Sequence, residues 1–322
     1  MSDQPAYAGI DIGGTNIKYG LVDCKGKVLF KEQRPTLAEK GPEPLLHLIG
    51  NIGERLLLHA AEESLEVAGL GVGTPGTVDF KTGRVVGMSP NIVGWKGTPI
   101  GNFLRERLNV PVWVDNDVNA VALAEHRFGA GAGYQSLVCV AVGTGVGGGV
   151  ILNGKLWRGV TSAAGEIGHM SIDPNGPACG CGNKGCIEAF CSSSAILARC
   201  RAKLGDHLTP VFEEVLTGDP DELSIKKLFA AAKQRDEIAL DVIAETARYL
   251  AMGLAGVVNL LNPELVIVGG GVADGGAGFV EAVAQEIRGR VCDSAGEKLR
   301  VVKASLGNSA GFIGAGILGE ER

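Results

Sequence analysis

One plan of strands and glycine turns occurs twice in this chain, and that repetition limits the folds open to it more than any other feature. Tyr7 to Ile12 is an apolar run ending in Asp11-Ile12-Gly13-Gly14-Thr15; Lys18 to Val22 alternates as a second strand, and Asp23-Cys24-Lys25-Gly26 turns into a third at Val28 to Phe30. The same plan returns at Leu137 to Val142, followed by Gly143-Thr144-Gly145-Val146-Gly147-Gly148, a strand at Gly149 to Leu152, an Asn153-Gly154 hairpin turn and a strand from Leu156. A structural unit has been duplicated without strict identity.

Between and after the copies, strands alternate with helices. The spacing of apolar residues predicts helices over Glu43 to Leu65, Pro99 to Leu108, Asp117 to Phe128, Asp236 to Leu261 and Ser309 to Gly319. Strands are expected at Val67 to Val72, Val112 to Val114, Leu265 to Val268 and Leu299 to Lys303. That order is α/β. The 322 residues suggest two domains, with the change placed near Asn119: an N-terminal lobe of 1–119, joined by the closing helix in 305–322, and a larger lobe of 120–304 carrying the cysteine loop.

Composition removes several classes. With 45% apolar residues, 50 glycines and 13 prolines, the chain is turn-rich and still apolar enough for a core. A net charge of −6 with no run of lysine or arginine gives no electrostatic footprint for nucleic acid or an anionic membrane. The opening residues lack a basic segment followed by a long apolar one, and the uncharged, glycine-rich stretch Ser136 to Asn153 is short of the roughly 20 apolar residues of a membrane span. A cytoplasmic protein that grips a small ligand locally is expected.

The glycine turns suit phosphate. Glycine has no Cβ to keep backbone N–H groups from an anion, threonine adds a hydroxyl, and Asp11 can orient magnesium or its water. Gly13 and Gly14 alone would equally make a plain tight turn; two such turns, Asp11 to Thr15 and Gly143 to Gly145, at equivalent places in duplicated units favour a polyphosphate clamp. Gly269 to Gly271 follow a buried strand without a Walker A continuation, and Gly270 and Gly271 make a reasonable adenosine seat at a strand end.

Two further clusters carry chemistry. Asp115-Asn116-Asp117 ends a strand just before a helix; one aspartate can simply cap that helix, whereas a carboxylate near two phosphate turns can take the proton of an attacking hydroxyl, and Asp117 is assigned that role. Of eight cysteines, Cys179, Cys181 and Cys186 crowd together ten, twelve and seventeen residues after His169. A Cys3His set suits closed, four-coordinate structural zinc better than a disulfide framework, the alternative being reduced structural thiols beside a surface histidine. Such a clamp would hold Glu188 and fix the second imidazole nitrogen toward a ligand. Without that neighbour, Glu188 would read as a solvated carboxylate.

These residues together resemble the ROK family (repressors, open reading frames and kinases) within the actin-like ATPase superfamily, from the first strand to the closing helix. The most specific element is Gly165-Glu166-Ile167-Gly168-His169 with the cysteine run through Glu188; Thr74-Pro75-Gly76, Asn116-Asp117 and Gly143-Thr144-Gly145 agree in order. The resemblance implies an actin-like, ribonuclease H-like fold of two duplicated lobes with a cleft between them, ATP and Mg²⁺ between the lobes, and Asp117 as base. It also implies a hexose contacted by Gly76, Asn91, Asn116, Glu166, His169 and Glu188, and Zn²⁺ on His169, Cys179, Cys181 and Cys186. Ser89 to Trp95 and Asp173 to Gly176 look most like family members that phosphorylate glucose on its 6-hydroxyl, and a homodimer or homotetramer is implied. Many relatives carry lysine where Asn16 stands, with Lys18 here two positions on. An N-acetylhexosamine, mannose or fructose kinase is the nearest rival; a non-catalytic sugar sensor or a repressor is the rival of another class. Family repressors carry a helix-turn-helix before the first glycine turn, whereas six residues precede the first strand here.

Overall fold

The computed structural model describes residues 5–87, 89, 92–205, 207–217 and 219–321. Three strands open the chain, β1 (Ala6–Ile12), β2 (Asn16–Val22) and β3 (Val28–Pro35), followed by α1 (Pro42–Glu62) and β4 (Val67–Thr74). A short hairpin of β5 (Val78–Asp79) and β6 (Arg84–Val85) precedes α2 (Ile100–Leu108), β7 (Val112–Asn116) and α3 (Asp117–Phe128). The plan restarts with β8 (Leu137–Val142), β9 (Val146–Leu152) and β10 (Lys155–Leu156). Helices α4 (Ile187–Cys191), α5 (Ser193–Leu204), α6 (Pro210–Val215), α7 (Ile225–Lys233) and α8 (Glu237–Leu261) follow, then β11 (Leu265–Gly269), α9 (Gly271–Asp274), α10 (Ala277–Arg288), α11 (Asp293–Gly296), β12 (Arg300–Lys303) and α12 (Ala310–Gly316).

The duplication is one of sheet topology. One sheet runs β3-β2-β1-β4-β7 and the other β10-β9-β8-β11-β12, so each places its third, second, first, fourth and fifth strand in that order. In the first, β1 pairs antiparallel with β2, and β4 lies parallel between β1 and β7. Asn153 and Gly154 both have positive φ, 52° and 75°, as a two-residue hairpin turn between β9 and β10 requires. Two strands outrun their sequence signal. Polar Lys31 to Arg34 continue β3 because its backbone pairs with β2 out to Asn16 opposite Pro35, and an edge strand needs no apolar outer face. Likewise β9 begins at Val146, inside the glycine run.

The chain divides into two compact units, Met1–Cys139 with Gly149–Gly165 and Ser305–Arg322, and Val140–Gly148 with Glu166–Ala304. In the first, Ala8, Ile10 and Ile12 of β1 join Ile49, Ile52 and Leu56 of α1 in one core, while the alternate residues of β1 face α12 and α3. Helix α12 is buried throughout and rides directly on backbone. A Cβ on Gly71 of β4 would stand 1.6 Å from the Ala315 carbonyl oxygen, and one on Gly314 would stand 1.7 Å from that of Ala120, so glycine is required at both. In the second unit α8 is capped by Asp236, which accepts the Ala239 N–H at 2.9 Å, and stops at Asn262 (φ 45°) before Pro263. The four residues Leu265 to Val268 of β11 are wholly buried beside it.

Candidate active site

Parallel strands bring their carboxyl ends to one edge. In the first unit Asp11 of β1, Gly73 of β4 and Asp115 of β7 are in register, with Thr74 beside Asn116. From the place a Cβ on Gly73 would take, Asp117 Cα is 3.4 Å, Ala120 Cβ 3.5 Å and Asp11 Oδ1 3.9 Å away, so the two aspartates meet over a buried glycine with no side chain between them. Asp11 also lies against Gly311 at the start of α12. Burial, and then the charge of Asp117, push the Asp11 carboxyl up to about 7 against the pull of Lys18, its register partner on β2. Two acids held so close gain from a divalent cation. Beside them, the Gly13-Gly14-Thr15 turn is closed by Gly13 N–H donating to the Asn16 carbonyl at 3.0 Å. Thr36, buried, braces it from outside by donating its hydroxyl to the Gly13 carbonyl at 2.6 Å. Gly14 and Thr15 are left exposed.

Asn116 is the N-cap of α3: its Oδ1 accepts the N–H groups of Val118 at 2.8 Å and Asn119 at 3.1 Å, and Asp117 Oδ1 shares the Val118 N–H at 3.0 Å. Its amide nitrogen donates to the Gly76 carbonyl at 3.3 Å, which ties the helix start to the Thr74-Pro75-Gly76 turn, where Gly76 takes φ 92°. Buried Trp95 donates its indole N–H to Thr74 Oγ1 at 2.8 Å and fixes the other side of that turn. Asp117 is therefore the first residue of a helix whose entry is held on three sides. Asn91 lies outside the described residues. Asp115, unassigned in the sequence reading beyond a possible cap, is 1% exposed on its side chain and pairs with Arg158 at 2.6 Å.

In the second unit the glycine turn at 143–145 and the one at 270–271 come together. A Cβ on Gly270, which has φ 87°, would stand 2.4 Å from the Val142 carbonyl oxygen, immediately before Gly143. Ser193 at the start of α5 donates both its backbone N–H, at 2.7 Å, and its hydroxyl, at 2.8 Å, to the Gly143 carbonyl. Glu188 on α4 accepts the Val146 N–H at 2.9 Å on the other side of the turn. Thr144 is left exposed at the tip. Ser193 carries no signal in the sequence, and its helix start is a finding of the structure.

His169, Cys179, Cys181 and Cys186 offer donor atoms that all lie within 4.8 Å of one another. Cys179 Sγ is 3.6 Å from His169 Nδ1, and Cys181 Sγ is 3.7 Å from Cys186 Sγ. Ligands about 2.3 Å from a tetrahedral zinc would be about 3.8 Å apart, so the donor set fits that ion in type and spacing. Burial pushes the Cys186 thiol up to about 12 when no cation is counted, an environment in which a thiolate needs a metal beside it. Since Nδ1 faces the sulfurs, His169 Nε2 points the other way, 4.0 Å from Glu166 Oε2.

The ROK family model matches residues 7–322. The chain belongs to the ROK family. A ROK relative named glucokinase, from Thermotoga maritima, is 36% identical over 315 residues, which cover 98% of this chain and 97% of that one. The solved ROK glucokinase of Streptomyces griseus, in complex with glucose and AMPPNP, matches with a TM-score of 0.84 and 35% identity over 97% of this chain and 98% of that one. A ROK hexokinase from Thermus thermophilus matches with a TM-score of 0.80 and 34% identity over 97% of each chain. The two sheets are thus those of the actin-like ATPase fold as ROK kinases carry it. Among the described residues no helix is long and apolar enough to cross a membrane.

Proposed function

We propose that this protein is an ATP-dependent glucose kinase that phosphorylates the 6-hydroxyl, with Asp117 as the general base. The observation that carries this reading is the placement of Asp117 at the first position of α3, beside Asp11 and above Gly73, in a chain 36% identical to a glucokinase over nearly its whole length. A loose phosphoryl-transfer transition state asks for positioned charge and a group to accept the hydroxyl proton. Asp117 takes that proton as the oxygen–phosphorus bond forms and the bond to the nucleoside diphosphate breaks. Asp11, Gly13, Gly14, Thr15, Gly143, Thr144 and Gly145 are the phosphate-binding residues of this reading, and Gly270 and Gly271 seat adenosine. When bound at Asp11, Mg²⁺ supplies positive charge against the phosphate oxygens.

The residues proposed to contact the hexose are Gly76, Asn116, Glu166, His169 and Glu188, with Asn91, which lies outside the described residues. Zinc on His169, Cys179, Cys181 and Cys186, when bound, supplies rigidity and no open coordination position. The kinase acts in the cytoplasm as a homodimer or homotetramer, which light scattering on the purified protein would measure. The deciding experiment is coupled turnover of ATP with Mg²⁺ against glucose, mannose, fructose, N-acetylglucosamine and N-acetylmannosamine. Preference for glucose is expected; preference for another sugar would move the assignment within the family, and no turnover with any would favour a non-catalytic sensor.

A further inference from the structure

Asp115 is too deeply buried to meet a substrate, yet both of its oxygens are engaged directly beneath the Asn116-Asp117 dipeptide. Oδ1 accepts the Asn116 backbone N–H at 2.7 Å and the Asn119 side-chain amide at 2.9 Å, and Oδ2 accepts the Arg158 Nε–H at 2.6 Å. Arg158 reaches this place from the segment after β10, with its guanidinium 3.8 Å over the ring centroid of Phe80. Its own carbonyl accepts the Ala164 N–H at 3.1 Å and closes a loop whose Val160 is fully exposed. Arg158 Nη2 and Asn119 Oδ1, buried on either side of Asp115, have no hydrogen-bond partner among the described residues.

A buried ion pair is weak evidence for stability, because packed apolar side chains often do as well. What this pair fixes is a direction. The carboxylate that grips the Asn116 N–H sets the backbone at the residue from which Asp117 continues, and Arg158, bonded to its other oxygen, is the group that aims it. We propose that Arg158 is a positioning residue for phosphoryl transfer: acting through Asp115, it holds the Asn116 turn so that Asp117 stands at the attacking hydroxyl. This rests on the reading of Asp117 as base. Removing Arg158 leaves a buried carboxylate oxygen without its partner, and finding another loosens the hold on Asn116.

The test compares Arg158→Met, Arg158→Lys, Asp115→Asn, the Asp115→Asn/Arg158→Met double variant and Asp117→Asn, each by steady-state kinetics with glucose and MgATP and by a melting curve. A misplacement of about 1 Å at a reacting group costs about 100-fold in rate, so Arg158→Met is expected to lower kcat by about that factor. KM for both substrates should stay within about twofold, since ground-state binding is not what is lost. Lysine keeps the charge and loses the planar fork, so Arg158→Lys should recover kcat to within about tenfold of wild type. The double variant should be no slower than the slower single variant. Wild-type kcat in Arg158→Met, or single effects that multiply in the double variant, would overturn the proposal. If Arg158→Met does not fold, Arg158→Lys decides: reduced kcat at wild-type KM supports the proposal, and wild-type kcat overturns it. Turnover retained by Asp117→Asn would instead overturn the base assignment, whatever the Arg158 variants do.

Discussion

Glu188 Oε2 accepts the backbone N–H of Val146 at 2.9 Å and occupies the space that a Cβ on Gly145 would need, so one carboxylate is built into the wall of the second glycine turn. In the proposed sugar site, Oε1 would be the oxygen offered to the hexose. A glutamine can keep the bond to Val146 through its amide oxygen and lose only the charge, whereas alanine loses both. Glu188→Gln is expected to raise KM for glucose about tenfold, the scale of one charge-assisted hydrogen bond, and to leave KM for ATP near wild type. Glu188→Ala should raise both, because the turn loses its brace. Calorimetric titration of glucose and of AMPPNP separates the cases, and an unaltered glucose affinity in Glu188→Gln would remove this residue from the sugar site.

Asp11 gives a pH signature of its own. Its carboxyl is pushed by burial, and then by Asp117, from 3.8 to about 7 in the ligand-free protein. Between those values the folded chain holds a proton that the unfolded chain has released, so ionisation of Asp11 lowers stability as pH rises through that window. Asp11→Asn removes this cost. The variant and the wild type should melt together near pH 4, and the variant should melt progressively higher as pH rises to 8, while losing turnover. A melting difference that does not change between pH 4 and 8 would show that Asp11 ionises without strain.

Much of this site is legible in the sequence, for reasons that are local. Glycines at 13, 14, 143 and 145 mark turns, Asn262-Pro263 ends α8, and the crowding of Cys179, Cys181 and Cys186 after His169 announces a metal set. Relationships set by distant backbone are not legible. Nothing in Arg158 itself says that its partner is Asp115, 43 residues earlier, because one arginine on a polar loop looks like any other. Asn116 serves as cap where an aspartate is an equal candidate, since capping rewards any short acceptor and only the helix's starting residue decides between them. The end of β3 was hidden by its polar residues, which an edge strand tolerates.

Two glycine substitutions should part folding from function. Alanine at Gly71 would force its Cβ into the Ala315 carbonyl, a backbone atom that cannot step aside, and Gly71→Ala is expected to cost about 3 kcal/mol or more and to appear largely as insoluble protein. At Gly143 nothing lies within 4 Å of the added carbon, so Gly143→Ala should fold and melt as wild type. If the turn accepts phosphate through close backbone approach, that methyl group should still raise KM for ATP. Wild-type KM in a well-folded Gly143→Ala would take the phosphates away from this turn.

The zinc assignment predicts a graded loss. His169 turns Nδ1 toward the sulfurs and leaves Nε2 4.0 Å from Glu166, so the ion would set both the tautomer and the aim of the ring. Purified protein should carry one zinc per chain by mass spectrometry, and Cys179→Ser should lose it. Because a closed site offers no position to substrate, the metal-free protein should lose glucose affinity through misplaced His169 and Glu188 while AMPPNP still binds. Chain that binds no zinc, or metal-free chain with wild-type KM for glucose, would reduce the cluster to four neighbouring side chains with no part in sugar binding.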